Sequence, residues 1–419
     1  MQIFQGSALR ARYPYQSVPC LYRHYQALPI GPHAIPTGLG GSQGNTKLCL
    51  SPDAPHDQPM TSPFSNSLAV SAPRTHPFTL PMGLKYEFRT GCSFFAKRPG
   101  RSFPSPFNSA SSPPLPVNFK DAFRNFHFRF QRSLDRNSGV SRTGEGLALP
   151  LVPTQDDALG FLRGTTNGDD AIVTSPCYIG VADGVGAWNT RPQGYAALWS
   201  RLILHFWALE TEQQIFRFNN ASRTSASVFT PQPSIVALQA SYETTTALAK
   251  SAPFFGTTTA CLALLLPPTT LLLTNVGDSQ AFLFRPSESK FVAHTQEQWH
   301  WFDCPRQLGT NSPDTPEGVA KVVEVIVKEG DLVLIATDGL MDNLWEAEIS
   351  RELVKWVERG EGEGHMAEEL VQKAQNVAAD PWGLSPYMER AVDQGLGIEG
   401  GKWDDISVIV ARCQKRSDV

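Results

Sequence analysis

Over the C-terminal 250 or so residues, apolar positions come in short blocks that alternate between the two-residue period of a strand and the 3.6-residue period of a helix. Strands are predicted at Cys177–Ala182, Thr257–Leu266, Thr270–Asn275, Gln280–Arg285, Lys321–Val327, Leu332–Thr337 and Ile406–Ala411. Helices are predicted at Ala196–Leu209, Ile235–Lys250, Ala347–Arg359 and Met366–Ala378. In the first of these, Ala196, Leu198 or Trp199, Leu202, Ile203, Phe206 and Leu209 gather on one face. The strands from Thr257 to Arg285 are joined only by Pro-Pro and Gly-Asp-Ser, too short for a crossover helix, so an antiparallel meander is expected. The expected class is α+β, with antiparallel sheets covered by helices.

Upstream the pattern breaks down. Tyr86, Phe88, Cys92, Phe94 and Phe95 make Leu84–Ala96 a first strand, closed by Pro99-Gly100. Residues 37–82, rich in Gly, Ser, Pro and Thr, read as a linker, and Ser-Pro clusters return over residues 101–161, which read as an insertion. The expected division is residues 1–83 as a leader and linker, and residues 84–415 as one domain carrying the insertion. Within the insertion, the aromatic and basic patch Phe119–Arg132 suits a packing or docking element better than a platform for nucleic-acid bases.

Composition sharpens this division. Of 33 prolines in 419 residues, 18 lie in the first 120, where eleven Lys or Arg face only three acids. The whole chain is nearly neutral at -4, so bulk charge gives no reason to expect nucleic acid or an anionic membrane as partner. Met1–Pro52 contains no Asp or Glu but carries Arg10, Arg12, Arg23 and Lys47, the composition of a mitochondrial matrix-targeting segment. Pro14, Pro19, Pro29, Pro32 and Pro36 break any long amphipathic helix there, so an untargeted tail stays open as the alternative. Seven widely spaced cysteines without a C-x-x-C pair indicate neither a disulfide framework nor a zinc cluster and fit a reducing compartment; Cys177 and Cys304 read as small buried or half-buried residues. Pro267 and Pro268 interrupt the most apolar stretch, Thr259–Val276, so no transmembrane helix is expected.

The candidate chemistry lies at strand ends. Tyr178–Gly184 and Val333–Gly339 are both apolar strands that end in Asp-Gly, at Asp183 and Asp338. Two further acidic pairs, Asp169-Asp170 and Asp404-Asp405, precede apolar runs. Adjacent carboxylates repel unless solvated or neutralised by a cation, and four acidic strand ends fit one cluster of hard oxygen ligands for Mg²⁺ or Mn²⁺. His300, between Trp299 and Trp301, has no metal-ligand spacing and reads as structural.

Six segments in order resemble the metal-dependent protein serine/threonine phosphatases of type 2C: Gly168–Ala171, Val181–Trp188, Gly256–Ala260, Asn275–Ser279, Ala336–Asn343 and Asp404–Val408. The Val-Gly-Ala-Trp ending, Glu297–Asp303 and Ser385–Tyr387 are similar to the mitochondrial, Ptc-seven-like branch of that family. The resemblance implies a four-layer α-β-β-α sandwich with two ions, Mg²⁺ or Mn²⁺, in a cleft at one end. It implies hydrolysis of phosphoserine or phosphothreonine by a bridging water that those ions activate, with no side-chain nucleophile, in a chain acting as a monomer on phosphoproteins. Carried over, Asp170 and Asp183 belong to the binuclear centre, with Asp183 bridging and Gly184 giving its carbonyl; Asp338 and Asp405 complete one ion's shell. Asp169 stands where many relatives have Glu, one methylene longer, and acts directly or through water. Asp278, with Asp338 and Asp342, matches a weaker third-ion site, and Arg163 is the nearest candidate for the family's phosphate-binding arginine. Val185 stands where many relatives carry His, so no histidine general acid follows by motif. Two other functions stay open at this point, a catalytically inactive scaffold and a two-metal hydrolase of small phosphoesters.

Overall fold

The computed structural model describes residues 79–98, 118–124, 162–221, 229 and 232–417. In chain order the strands are β1 Tyr86–Phe95, β2 Thr165–Asn167, β3 Asp170–Thr174, β4 Tyr178–Ala182, β5 Thr257–Thr258, β6 Ala260–Leu266, β7 Thr270–Val276 and β8 Gln280–Arg285. It continues with β9 Lys290–His294, β10 Trp299–Trp301, β11 Cys304–Pro305, β12 Leu308–Gly309, β13 Lys321–Ile326, β14 Leu332–Ala336 and β15 Ile406–Lys415.

 The helices are α1 (residues 119–124), α2 Ala196–Ala221, α3 Pro233–Ser251, α4 Pro316–Val319, α5 Asp338–Met341, α6 Glu346–Glu358, α7 Glu363–Ala378 and α8 Pro386–Asp393.

Two antiparallel sheets carry the fold, one in the order β1-β15-β14-β8-β9 and the other β13-β7-β6-β4-β3-β2. The two-residue period decides which face each side chain joins. In β14, Val333 and Ile335 enter the core between the sheets, whereas Leu332, Leu334 and Ala336 enter a second core beneath α6 and α7. In β15, Ile409 and Ala411 take the first face and Ile406, Val408 and Val410 the second. On the far side α2 and α3 cover β3, β4 and β6, so the layers run helix, sheet, sheet, helix. The four-layer α+β sandwich is therefore the observed architecture. Trp199 and Trp207 of α2 are fully buried, and Trp207 meets the Tyr178 ring edge-on at 5.3 Å. Side chains of this size each contribute about 2 to 3 kcal/mol through burial.

The expected meander does not form. β6 and β7 make a hairpin in one sheet, but β8 pairs with β9 and β14 in the other. The chain changes sheets at Gly277-Asp278-Ser279, where Gly277 has φ +101° and a Cβ would lie 2.6 Å from the Thr259 methyl. The predicted strand Thr257–Leu266 is also divided, because the Thr259 N–H donates to the Asp183 carbonyl (2.8 Å) and leaves the ladder. α2 runs twelve residues past its predicted end: the apolar face fades after Leu209, but Glu and Gln keep the helix going.

Residues 119–124, at the start of the aromatic patch, are helical, and Phe119 and Phe123 are buried against Phe254 and Phe206. These two side chains are packing elements. Residues 1–78 of the leader and linker, and most of residues 101–161, lie outside the described residues. Among the described residues, no helix is long and apolar enough to cross a membrane.

Candidate metal centre

The acidic strand ends converge at one end of the sandwich. Asp170 opens β3 and Asp183 follows β4, and the register Ala171 to Ala182 sets them side by side. Asp338 opens α5 directly after β14, Asp405 precedes β15, and Asp278 occupies the crossing between sheets. Carboxylate oxygens of Asp183, Asp278 and Asp338 lie within 4.8 Å of one another.

The surrounding chain fixes these groups in place. The Thr337 and Ser407 hydroxyls donate to Asp170 Oδ2 (2.9 and 2.7 Å). Asp405 accepts from the backbone N–H groups of Lys97 (2.8 Å) and Asp169 (3.0 Å). The main chain of Asp183 is held by Thr259 Oγ1, which accepts from its N–H (3.0 Å), and by Thr258 Oγ1, which donates to its carbonyl (2.9 Å). The Gly184 N–H donates to the Asp169 carbonyl (3.2 Å). Gly168 has φ +58°, and a Cβ there would fall 2.2 Å from Asp405 Oδ1, so the turn into the first acidic pair requires glycine.

Three oxygens of the cluster, Asp170 Oδ1, Asp278 Oδ1 and Asp338 Oδ1, are buried without a hydrogen-bond partner. Burial and the neighbouring carboxylates push Asp170, Asp183 and Asp278 well above the ordinary carboxylate range. Burial likewise raises Asp405 to about 6 and Asp342 to about 7. Asp338 goes the other way: against the upward push of burial, the Lys402 ammonium and a hydrogen bond with Asp183 hold it down at about 2. Buried carboxylates crowded together with unmet acceptors are a donor set for a hard divalent cation, so Mg²⁺ or Mn²⁺ fits these residues.

Not every expected residue joins the cluster. The Asp169 carboxylate turns to Asn189, accepting from its side-chain amide at 2.9 and 2.8 Å. Arg163 pairs with Glu212 and donates to the Tyr178 hydroxyl (2.9 Å), at the opposite end of β4 from Asp183. A five-residue strand separates the two ends by about 13 Å, which takes Arg163 out of reach of a phosphoryl group at the acids. Asp342 faces two bases, Lys402 at 2.8 Å and Arg390. His300 is tied to Asp314 (2.7 Å), a structural contact as expected. Cys177 and Cys304 are buried.

Sequence patterns missed the basic side of the site. Lys97, at the end of the first strand, bonds Asp404 Oδ1 at 2.5 Å, and Lys402 lies among Asp338, Asp342 and Asp303. One signal was available for Lys402, which is the sole Lys or Arg between Arg390 and Arg412 and stands two residues before an acidic pair. Nothing local distinguished Lys97 or Asp303.

A four-layer sandwich of antiparallel sheets with a buried carboxylate cluster at one end has the make-up of a metal-dependent phosphatase. No family model matches the chain. The human protein phosphatase PTC7 homolog is 32% identical over 279 residues, covering 63% of this chain and 86% of that one. A probable protein phosphatase 2C 80 from Arabidopsis thaliana is 30% identical over 249 residues, covering 59% and 54% of the two chains. The X-ray structure of the photosystem II phosphatase PBCP is 25% identical at a TM-score of 0.45, covering 58% of this chain and 91% of that one. The chain belongs to the PTC7 family of type 2C protein phosphatases. It is a metal-dependent protein serine/threonine phosphatase.

Proposed function

We propose that the phosphatase works with two ions, Mg²⁺ or Mn²⁺, which Asp170, Asp183, Asp338 and Asp405 would hold together with the Gly184 carbonyl. The observation that carries this reading is the set of buried, unpartnered oxygens of Asp170, Asp278 and Asp338 around Asp183. Bound divalent ions supply an activated water and neutralise phosphoryl oxygens as charge moves onto the leaving seryl or threonyl oxygen. The chain's own part is positional. Thr337 and Ser407 aim Asp170, the backbone of Lys97 and Asp169 aims Asp405, and Asn189 holds the Asp169 carboxylate, which would reach an ion only through water. No side-chain nucleophile is needed, and burial pushes the Cys177 thiol up, away from its reactive thiolate form.

The substrates are phosphoserine and phosphothreonine proteins, and the chain acts as a monomer. The acid-free, arginine-bearing composition of Met1–Pro52 supports delivery to the mitochondrial matrix. Calorimetric titration of Mn²⁺ into the chelator-stripped full chain should resolve two ions, and Asp405→Asn should weaken or remove one of them. A wild-type count of one, or an Asp405→Asn titration identical to wild type, contradicts the ligand set.

A further inference from the structure

Lys402 is held where a third ion would need its ligands. Its Nζ lies 2.6 Å from Asp338 Oδ2, 2.8 Å from Asp342 Oδ2, 3.0 Å from Asp303 Oδ1 and 3.7 Å from Asp404 Oδ2. The Tyr387 ring closes the remaining side at 5.3 Å from the ring centroid. The backbone is clamped as firmly as the head group: Lys402 N–H donates to Asn343 Oδ1 (3.0 Å), and Asn343 Nδ2 donates to the Lys402 carbonyl (2.9 Å). Asn343 is fully buried and adjoins Asp342, so the lysine and the acid it meets are fixed by one rigid contact. The other Asp342 oxygen, Oδ1, is taken by Arg390. Both oxygens of Asp342 and one of Asp338 thus already face protein cations.

We infer that Lys402 is a built-in cation that takes the place of a third metal ion, so that the centre of this chain holds two ions and no more. This rests on the two-ion reading above and departs from the family's third-ion pattern at Asp278, Asp338 and Asp342. An ammonium group and a hydrated divalent ion compete for the same carboxylate oxygens, and the tethered group has the advantage of needing no free ion in solution. Asp278 remains with Asp183 and Asp338, and its Oδ1 and the Oδ1 of Asp338 have no hydrogen-bond partner.

The test is an ion count. Equilibrium dialysis of the chelator-stripped full chain against Mn²⁺ up to about ten millimolar, with free Mn²⁺ read by electron paramagnetic resonance, should give two ions for wild type. Lys402→Met, which keeps length and removes charge, should bind a third, weaker ion, while Lys402→Arg should stay at two. The double variant Lys402→Met/Asp342→Asn should return to two, because the acid left uncompensated is gone. If Lys402→Met needs metal to fold, its thermal unfolding should shift upward with millimolar Mn²⁺ well past the point where wild type saturates. Three ions in wild type, two ions in a folded Lys402→Met, or a Lys402→Met chain that stays unfolded at every Mn²⁺ concentration each overturn the inference. A wild-type count of zero or one instead removes the two-ion reading on which it stands.

Discussion

Asp183→Asn is expected to cut phosphate release from a phosphothreonine peptide by about 10³-fold or more, equivalent to about 4 kcal/mol of lost transition-state stabilisation, in a chain that stays folded. The carboxylate sits where oxygens of Asp278 and Asp338 converge, and asparagine keeps its shape while removing the charge. The fold does not depend on that charge. The main-chain contacts of Asp183 with Thr258 and Thr259 survive the substitution. Burial and the neighbouring carboxylates of Asp338, Asp170 and Asp404 make its ionised form unfavourable in the metal-free chain. Thermal unfolding of the stripped variant should therefore match or exceed that of stripped wild type, and Mn²⁺ should raise it less than it raises wild type. Turnover within a few-fold of wild type would contradict the role given to Asp183.

Gly168→Ala should lower stability by about 2 to 4 kcal/mol and weaken Mn²⁺ binding together. At φ +58° an alanine costs about 1 kcal/mol from its backbone alone. Its Cβ would also press into Asp405, 2.2 Å from Oδ1 and 2.4 Å from Cγ, and overpacking of a rigid site adds about 1 to 3 kcal/mol. Asp405 cannot simply move aside, because both its oxygens accept backbone N–H groups. Chemical denaturation and Mn²⁺ titration of the same sample read the two effects. A variant as stable as wild type, with unchanged Mn²⁺ affinity, would show that the turn at Gly168 does not set the position of Asp405.

The parts of this molecule legible in the sequence are those set by short-range periodicity. β4, β14 and the helices α3, α6 and α7 fall within a few residues of their predicted places because one buried face repeats at a fixed interval. The acidic strand ends were equally plain, since Asp183 and Asp338 end runs with no other charged side chain. What the pattern could not reveal was long-range choice. Gly277-Asp278-Ser279 reads as a hairpin turn, and only the packing of two sheets turns it into a crossing between them. Lys402 and Asp303 meet across 99 residues, and the bond between them leaves no periodic trace. Arg163 was misjudged for the same reason: its nearness in sequence to Asp169 hid the fact that β4 carries its partner Tyr178 to the far end of the sheet.

Whether buried carboxylates and divalent ions together make the phosphatase centre is decided by phosphate release from a phosphothreonine peptide by the full chain. The assay is run after chelation, and again after adding back Mn²⁺ or Mg²⁺. Release should fall silent in EDTA and recover with either ion. Release that persists undiminished after complete chelation, or that no divalent ion restores in a folded chain, would contradict such a centre.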